Sequence, residues 1–225
     1  MLRRLSLYFS LLLIFTLNVP ISQTTAQSDT GWEARSPMPT PRSEMAAAVV
    51  DGNIYVVGGF GAALNIAADN EAYDPQTDTW QTLAPLPEGR HHLMMTAYDG
   101  ALYVFGGGFR SFSPTQTVFH YDIDSDEWTQ LDDMPSPRIS GVALTLDEQI
   151  YIVGGVSGEH HPPLLRFDPA TGEWETLATP NLVRDHVAAV VFEDKIVALG
   201  GRDVWVEDYA SIEIYDPETD SWQVG

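Results

Sequence analysis

Short apolar runs separated by polar turn residues recur along the chain. Ala46–Val50 and Ile54–Val57 are two such runs, rich in small, β-branched or aromatic residues, and Asp51-Gly52-Asn53 lies between them. Runs of this length and composition predict buried strands of a β-hairpin. An Asp-Pro pair such as Asp74-Pro75 supplies a side-chain acceptor followed by a residue of fixed φ, which favours a tight turn. The pattern therefore predicts an all-β protein.

These runs belong to a repeat of nearly constant length. The Gly-Gly pairs begin at Gly58, Gly106, Gly154 and Gly200, in steps of 48, 48 and 46 residues. Three further markers keep the same register: the tryptophans Trp80, Trp128, Trp174 and Trp222; the aromatic-Asp pairs at Tyr73, Tyr121, Phe167 and Tyr215; and the arginines Arg42, Arg90, Arg138 and Arg184. We therefore assign repeats to about 42–80, 90–128, 138–174 and 184–222.

A period near 50 residues with these markers resembles the kelch repeat, and the resemblance extends from Trp32 to the last residue. It implies a β-propeller whose blades each contain four antiparallel strands around a central channel. Paired glycines inside strands are costly unless a positive φ or a close backbone approach requires them. We expect the converging blades to create that requirement, and we expect the tryptophans to fill the gaps between neighbouring blades.

The first residues predict an exported protein. Two arginines, Arg3 and Arg4, precede an uncharged stretch from Leu5 to Val19, and small residues before Gln27 suit cleavage after Ala26. We predict a signal peptide over 1–26, a short linker over 27–31 and the propeller over 32–225. A permanent anchor is the alternative, although the stretch is shorter than the roughly 20 residues that span a bilayer. The predicted location is secreted, periplasmic or on the cell surface, with no membrane attachment after cleavage.

Composition limits the chemistry. The chain has no cysteine, which excludes disulfides, thiolate metal sites and a cross-linked cysteine cofactor like that of galactose oxidase, and which favours a bacterial origin. It carries 32 acidic and 11 basic residues, a formal net charge of −21. So acidic a surface argues against binding to nucleic acid or anionic membranes.

The number of blades is open at this stage. Trp32 precedes Arg42 by the offset that separates Trp80 from Arg90, so we expect the chain to begin with a fourth strand. Five tryptophan markers then accompany four Gly-Gly markers. Kelch propellers mostly have six or seven blades, as the resemblance implies. Four repeats would need an unusual closure, assembly with another chain or missing downstream sequence, and we expect further blades from downstream sequence or from another chain.

Four arginines at the entry to the first strands are the principal candidate ligand-binding residues: Arg42, Arg90, Arg138 and Arg184. In kelch proteins that bind acidic peptides, arginines here line the channel mouth, and a guanidinium suits carboxylates. The alternative is that they bond turn carbonyls or acidic neighbours within the fold. The neighbouring His91 and His186, and Arg110 and Arg202 in the variable loops after the Gly-Gly pairs, complete the predicted set.

We predict no metal and no cofactor, because adjacent histidines such as His91 and His92 point to opposite faces of a strand and cannot both reach one ion. No phosphate loop, nucleophile elbow or His-Glu-x-x-His motif is present. The sequence thus favours a binding or scaffold module that holds a protein, peptide or glycan at the channel mouth. The alternative is an enzyme similar to sialic acid mutarotases, with Arg90 and Glu88, or Arg184 and Asp185, as acid and base.

Overall fold

The computed structural model describes residues 31–109, 112–157, 162–203 and 206–225. The signal peptide predicted over 1–26, most of the linker predicted over 27–31, and Arg110 therefore lie outside the described residues. Two units are distinguished, Met1–Arg35 and Ser36–Gly225. In the first, Arg35 pairs with Glu33 at 3.0 Å between Nη2 and Oε2. All strands described below belong to the second.

Four antiparallel sheets of four strands follow one another along the chain, each in the order of a meander. Blade 1 contains β1 Ala46–Val50, β2 Asn53–Val57, β3 Asn70–Asp74 and β4 Thr79–Thr82; blade 2 contains β5 Met94–Tyr98, β6 Ala101–Phe105, β7 Val118–Asp122 and β8 Glu127–Leu131; blade 3 contains β9 Val142–Leu146, β10 Gln149–Val153, β11 Leu165–Phe167 and β12 Trp174–Thr176; blade 4 contains β13 Ala188–Phe192, β14 Lys195–Leu199, β17 Ile212–Asp216 and β18 Ser221–Val224. A two-stranded hairpin in blade 4, β15 Arg202–Asp203 with β16 Glu207–Asp208, and a short 3-10 helix at Ala62–Leu64 complete the described elements. The all-β propeller architecture predicted from the sequence is confirmed.

The predicted fourth strand at Trp32 is wrong. Trp32 lies outside any strand and is 84% exposed. A strand needs a partner strand for its backbone hydrogen bonds, and none of the described strands pairs with the residues around Trp32. Elsewhere the alignment of repeats with sheets is close, since Ala46–Val50 and Asn53–Val57 form the predicted hairpin with register Val50 to Asn53.

Among the described residues the hydrophobic core forms three clusters, one between each pair of successive blades. Val57 and Tyr121 belong to the cluster between blades 1 and 2, Phe105 and Ile150 to the one between blades 2 and 3, and Tyr151 to the one between blades 3 and 4. Partly buried tryptophans pack against these clusters: Trp128 on the first, Trp174 on the second and Trp222 on the third. These three tryptophans thus lie between neighbouring blades, as expected.

The Gly-Gly pairs dock against the arginine of the next repeat. Gly106 has φ +56°, and a Cβ on it would lie 2.3 Å from the carbonyl oxygen of Arg138. Gly107 donates its N–H to that same oxygen at 2.8 Å. The bonds from Gly59 to Arg90 and from Gly155 to Arg184 are equivalent, both at 2.7 Å. The Gly-Gly pairs and the arginines recur at a constant spacing because the glycines of one blade lie in contact with the arginine backbone of the next blade, where a Cβ would not fit.

A side-chain clamp holds the segment that enters each of three blades. In blade 2, Asp126 accepts hydrogen bonds from the Tyr121 hydroxyl at 2.5 Å and from the Ala84 N–H at 2.7 Å, while Trp128 Nε1 donates to the Ala84 carbonyl at 2.8 Å. Ala84 lies on the link from blade 1, so the clamp fastens one blade to the next. The same contacts are made by Tyr73, Asp78, Trp80 and Ser36 in blade 1 and by Tyr215, Asp220, Trp222 and Ala178 in blade 4.

Blade 3 lacks this clamp. Phe167 replaces the tyrosine and Gly172 the aspartate, and Trp174 Nε1 is buried without a hydrogen-bond partner among the described residues. The tyrosine hydroxyl and the aspartate are absent together, as expected if each needs the other.

Blades 1 and 4 each have an apolar face in contact with solvent. Val49 is 60% exposed on blade 1, and Val190 and Phe192 on blade 4 are 50% and 62% exposed. Further blades covering these faces remain a prediction. Among the described residues, no helix is long and apolar enough to cross a membrane.

Candidate functional site

The candidate site lies where the first strands of the four blades begin. Four residues at equivalent repeat positions, two after each entry arginine, form what we term the mouth ring: Glu44, His92, Ser140 and His186. Their backbones are linked in order, because His92 N–H donates to Glu44 O at 2.9 Å, Ser140 to His92 O at 3.0 Å and His186 to Ser140 O at 2.8 Å. Hydrogen bonds between successive blades thus place one side chain per blade around a common centre.

All four mouth-ring residues have a left-handed backbone, with φ between +49° and +63°. The residue before each of them forms an isolated bridge to the loop after a Gly-Gly pair; His91 pairs with Gly108 and Asp185 with Arg202, for example. This bridge followed by a left-handed residue interrupts the alternation of a strand. A non-glycine residue in this region is uncommon and is a reason to examine the site for function.

Three of the four side chains converge. His92 Nε2 lies 3.2 Å from Glu44 Oε2 and 3.1 Å from His186 Nε2. The His92 side chain is buried, whereas those of Glu44 and His186 are partly exposed, and the three border a pocket of about 250 Å³ together with Ser140. Burial is the main cause that lowers the pKa of His92 to about 4, with nearby charges including Arg202 adding to it and Glu44 opposing it. The His92 ring is therefore neutral at physiological pH.

Buried side chains fix the orientation of the two histidines. His91 is fully buried, and its Nδ1 lies 2.6 Å from His92 Nδ1 while its Nε2 lies 2.7 Å from the Phe109 carbonyl. Burial also lowers the pKa of His91. On the other side, the buried Asp185 contacts His186 Nδ1 and accepts from Arg202 Nε at 3.1 Å.

An aromatic wall stands beside the mouth ring. The Phe60 ring stacks on His91 with centroids 4.1 Å apart, and Phe112 lies 4.7 Å from His91 and 5.9 Å from His92. Phe60 is buried, but Phe112 is 59% exposed. The face therefore places an accessible apolar ring next to imidazole and carboxylate groups.

The four entry arginines are buried beneath this face. The Arg138 guanidinium donates to the carbonyls of Gly154 and Pro163 at 3.1 and 2.9 Å. Arg184 bonds Glu213 at 3.0 Å and the Ser211 carbonyl at 3.1 Å, and does not pair with Asp185.

The other two arginines are held in the same way. Arg42 pairs with Glu71 at 2.9 Å. Arg90 pairs with Glu88 at 2.8 Å and lies over the Phe109 ring at 3.9 Å. These contacts support the architectural alternative; a ligand-binding role for the four remains a prediction.

The other predicted ligand-binding residues that the structure describes, His91, His186 and Arg202, all lie at the mouth ring. His91 supports the site from below, and His186 and Arg202 border it, with the Arg202 side chain 48% exposed. Sequence reasoning did not select Glu44, or His92 as a member of the site. The sequence carries a signal for both, since each stands two residues after an entry arginine, but the residue type at this position differs from repeat to repeat.

Four-stranded blades in series, docked through Gly-Gly pairs, with one residue per blade around the mouth, define a kelch-repeat β-propeller, and the chain belongs to the kelch-repeat family. Residues 21–201 match the family model described as the KLHDC2/KLHL20/DRC7 Kelch-repeats domain, and residues 184–225 match the Kelch motif.

Individual relatives match over shorter stretches. F-box/kelch-repeat protein At5g03020 of Arabidopsis thaliana is 44% identical over 50 residues, and human Kelch-like protein 38 is 38% identical over 63 residues. These matches span 21% and 26% of this chain but only 14% and 11% of those proteins. A solved structure, "Structure of YjhT", superposes with a TM-score of 0.72 at 23% identity, over 85% of this chain and 67% of that one. That likeness concerns the fold alone.

Proposed function

We propose that the protein is a binding module that holds a protein or peptide segment on the face carrying the mouth ring, and that it works outside the cytoplasm. The observation that carries this proposal is that the mouth ring is bordered by an exposed aromatic ring, Phe112, next to His92 and by a partly exposed guanidinium, Arg202, next to His186. An accessible aromatic ring next to convergent polar groups is typical of sites that anchor one apolar side chain and orient the segment by hydrogen bonds. The amino-terminal export pattern supports the location.

The arrangement divides recognition between two kinds of contact. Phe112, 59% exposed, offers an apolar surface to a ligand side chain. Arg202, also partly exposed, offers guanidinium donors to ligand carbonyls or carboxylates. Both groups lie on loops that follow Gly-Gly pairs, where the repeats differ most in sequence. Specificity therefore resides in the loops, while the buried arginines keep the blades in place.

Selection of peptides from a displayed random library tests the proposal. Peptides selected on the wild-type protein should bind Phe112→Ala and Arg202→Ala at least tenfold more weakly. Val224→Ala is the matched control, since Val224 is also 59% exposed but lies on the outermost strand of blade 4. Melting temperatures should be unchanged in Phe112→Ala and Val224→Ala, and lower in Arg202→Ala, which takes one partner from the buried Asp185. Equal binding to wild type and to both face variants would refute this location of the site.

An enzyme that acts on sugars is the second candidate. The supporting observation is the 3.2 Å contact between Glu44 and the neutral His92, which places a carboxylate beside an imidazole at the pocket. Of the pairs considered in the sequence, Arg90 with Glu88 is an ion pair, whereas Arg184 bonds Glu213. Anomer interconversion of free sialic acid, followed by NMR, tests this candidate: no acceleration over buffer would eliminate it, and loss of acceleration in Glu44→Gln would support it.

A further inference from the structure

The hydrogen-bond chain on the blade 2 side determines where the protons of two histidines lie. A carbonyl oxygen can only accept, so His91 Nε2 must carry the hydrogen that reaches Phe109 O. The neutral His91 ring then has a lone pair on Nδ1, and the 2.6 Å contact requires the hydrogen on His92 Nδ1. His92 Nε2 is left with a lone pair that points into the mouth.

The blade 4 side has the same polarity. An ionised carboxylate only accepts, so His186 Nδ1 carries the hydrogen that contacts Asp185 Oδ1. Arg202 Nη2 lies 3.2 Å from the same nitrogen, but it is a donor and farther away than the carboxylate. In the neutral ring, His186 Nε2 therefore also presents a lone pair to the mouth.

Three electron-pair donors thus face one point with no hydrogen between them. They are His92 Nε2, His186 Nε2 and the Glu44 carboxylate, and their ligand atoms all lie within 4.8 Å of one another. Two of the separations are 3.1 and 3.2 Å. A tetrahedral ion with ligand bonds of about 2.05 Å has an edge of about 3.3 Å between donors. Two of the three edges therefore suit a shared cation, and the third, between Glu44 and His186, would close by rotation of these two partly exposed side chains.

We propose that Glu44, His92 and His186 bind one divalent transition-metal ion, with zinc as the best fit, and that His91 and Asp185 orient the two histidine ligands from behind. Two imidazoles and a carboxylate are a common zinc set with three protein ligands, whereas calcium and magnesium require mostly oxygen ligands. Histidine ligands whose second nitrogen donates to a carboxylate or another fixed acceptor are the usual support of such sites. A fourth coordination position would face the pocket.

This proposal departs from the metal-free site predicted from the sequence. That prediction considered adjacent histidines on one strand, which indeed do not both point into the mouth. The ligands instead come from blades 1, 2 and 4, at equivalent positions two residues after the entry arginines.

The charges are also compatible with a cation. Glu44 and Asp185 contribute two negative charges near the mouth and Arg202 one positive charge. A divalent ion would therefore meet a net negative surrounding. The proposal goes beyond the proposed peptide binding and can succeed or fail independently, because its test uses metal alone.

Calorimetric titration of the chelator-treated full chain with Zn²⁺ tests the site, and Co²⁺ serves as a spectroscopic probe. We expect one equivalent of Zn²⁺, an increased melting temperature and the intense visible absorption of tetrahedral Co²⁺. His186→Gln and Glu44→Gln should each weaken Zn²⁺ binding at least about 100-fold, and Asp185→Asn, which removes an orienting carboxylate, about 10- to 100-fold. His120→Gln is the control, since His120 lies on β7 against Tyr103, away from the mouth.

Two results would overturn the proposal. One is the absence of one-to-one Zn²⁺ binding to the folded wild-type protein, which would mean that a shared proton bridges the two imidazoles. The other is Zn²⁺ affinity in His186→Gln and Glu44→Gln equal to that of His120→Gln, which would place the bound ion elsewhere. Circular dichroism of each variant establishes that it is folded, and both mouth-ring substitutions are at partly exposed side chains.

Discussion

The clamp at Asp126 should behave as one cooperative unit, and the third repeat shows which substitutions reveal this. Tyr121→Phe and Asp126→Gly, alone and together, convert the blade 2 clamp into the Phe167 and Gly172 pair of blade 3. Asp126 accepts from both the Tyr121 hydroxyl and the Ala84 N–H. The double variant therefore reproduces an arrangement that this fold already contains.

The expected costs follow from which hydrogen bonds each substitution removes. Asp126 is exposed, so we assign about 1 kcal/mol to each bond that it accepts. Tyr121→Phe removes one bond and should cost about 1 kcal/mol, while Asp126→Gly removes two and should cost about 2 kcal/mol, apart from the gain of placing glycine at φ +56°, which is equal in the single and double variants and cancels from the coupling. The double variant also loses only these two bonds. Its cost should remain about 2 kcal/mol, giving a coupling of about 1 kcal/mol.

Urea unfolding of the wild type, the two single variants and the double variant measures all four free energies. The control cycle uses Tyr121→Phe with Asp122→Gly, because Asp122 lies in the same turn but bonds Ser125 N–H. That cycle should show no coupling. Additive costs in the Asp126 cycle, close to 3 kcal/mol for the double variant, would refute the clamp as a unit and leave the joint absence of both residues in blade 3 unexplained.

Three further predictions concern the scaffold. Arg138→Met should remove donors from two buried carbonyls, cost roughly 3 kcal/mol and lower the melting temperature by roughly 6 to 12 °C; an unchanged melting temperature with lost ligand binding would restore its predicted ligand-binding role. Gly106→Ala should destabilise by at least about 2 kcal/mol more than Gly100→Ala, since both have positive φ but only the first would place a Cβ 2.3 Å from a carbonyl oxygen; equal losses in denaturant titrations would contradict the docking role. The pKa of Asp74 is held below its usual value, chiefly by the Thr77 hydroxyl. Its contribution is therefore present above the unfolded pKa of about 3.9 and lost as pH falls through the folded value. The difference in melting temperature between wild type and Asp74→Asn should accordingly shrink below about pH 4, and a constant difference would argue against this linkage.

Much of the fold could be predicted because the repeat markers are themselves contacts between blades. Gly106 and Arg138 recur together since the glycine approaches the arginine backbone, and Trp128 recurs since the tryptophan at this position packs against the cluster between two blades. Such local and nearest-neighbour contacts leave a periodic trace in the sequence. Trp32 has the same spacing from its arginine as the other tryptophans, yet it forms no strand. A strand also needs a neighbouring strand to pair with, and the spacing of one residue does not reveal whether that neighbour is present.

The site was harder to predict because its residues come together only in the folded structure, and the residue type at this repeat position is not the same in each blade. Glu44, His92 and His186 occupy equivalent positions but differ in type, so they form no motif. For the adjacent pair His91 and His92, the sequence predicts side chains on opposite faces of one strand. The left-handed backbone at His92 instead directs its ring to the mouth. Burial of the arginines was also hidden, since the sequence does not show which carbonyls surround a guanidinium.

Backbone hydrogen bonds, N–H to C=O, link the mouth ring from one blade to the next. Every residue except proline has both groups, so the linkage itself does not depend on the side chain, although the left-handed φ at all four positions disfavours β-branched residues. Glutamate, serine and two histidines already share these positions without disturbing the linkage. The side chains on this face can therefore change one blade at a time, by single substitutions that leave the backbone hydrogen bonds between blades intact.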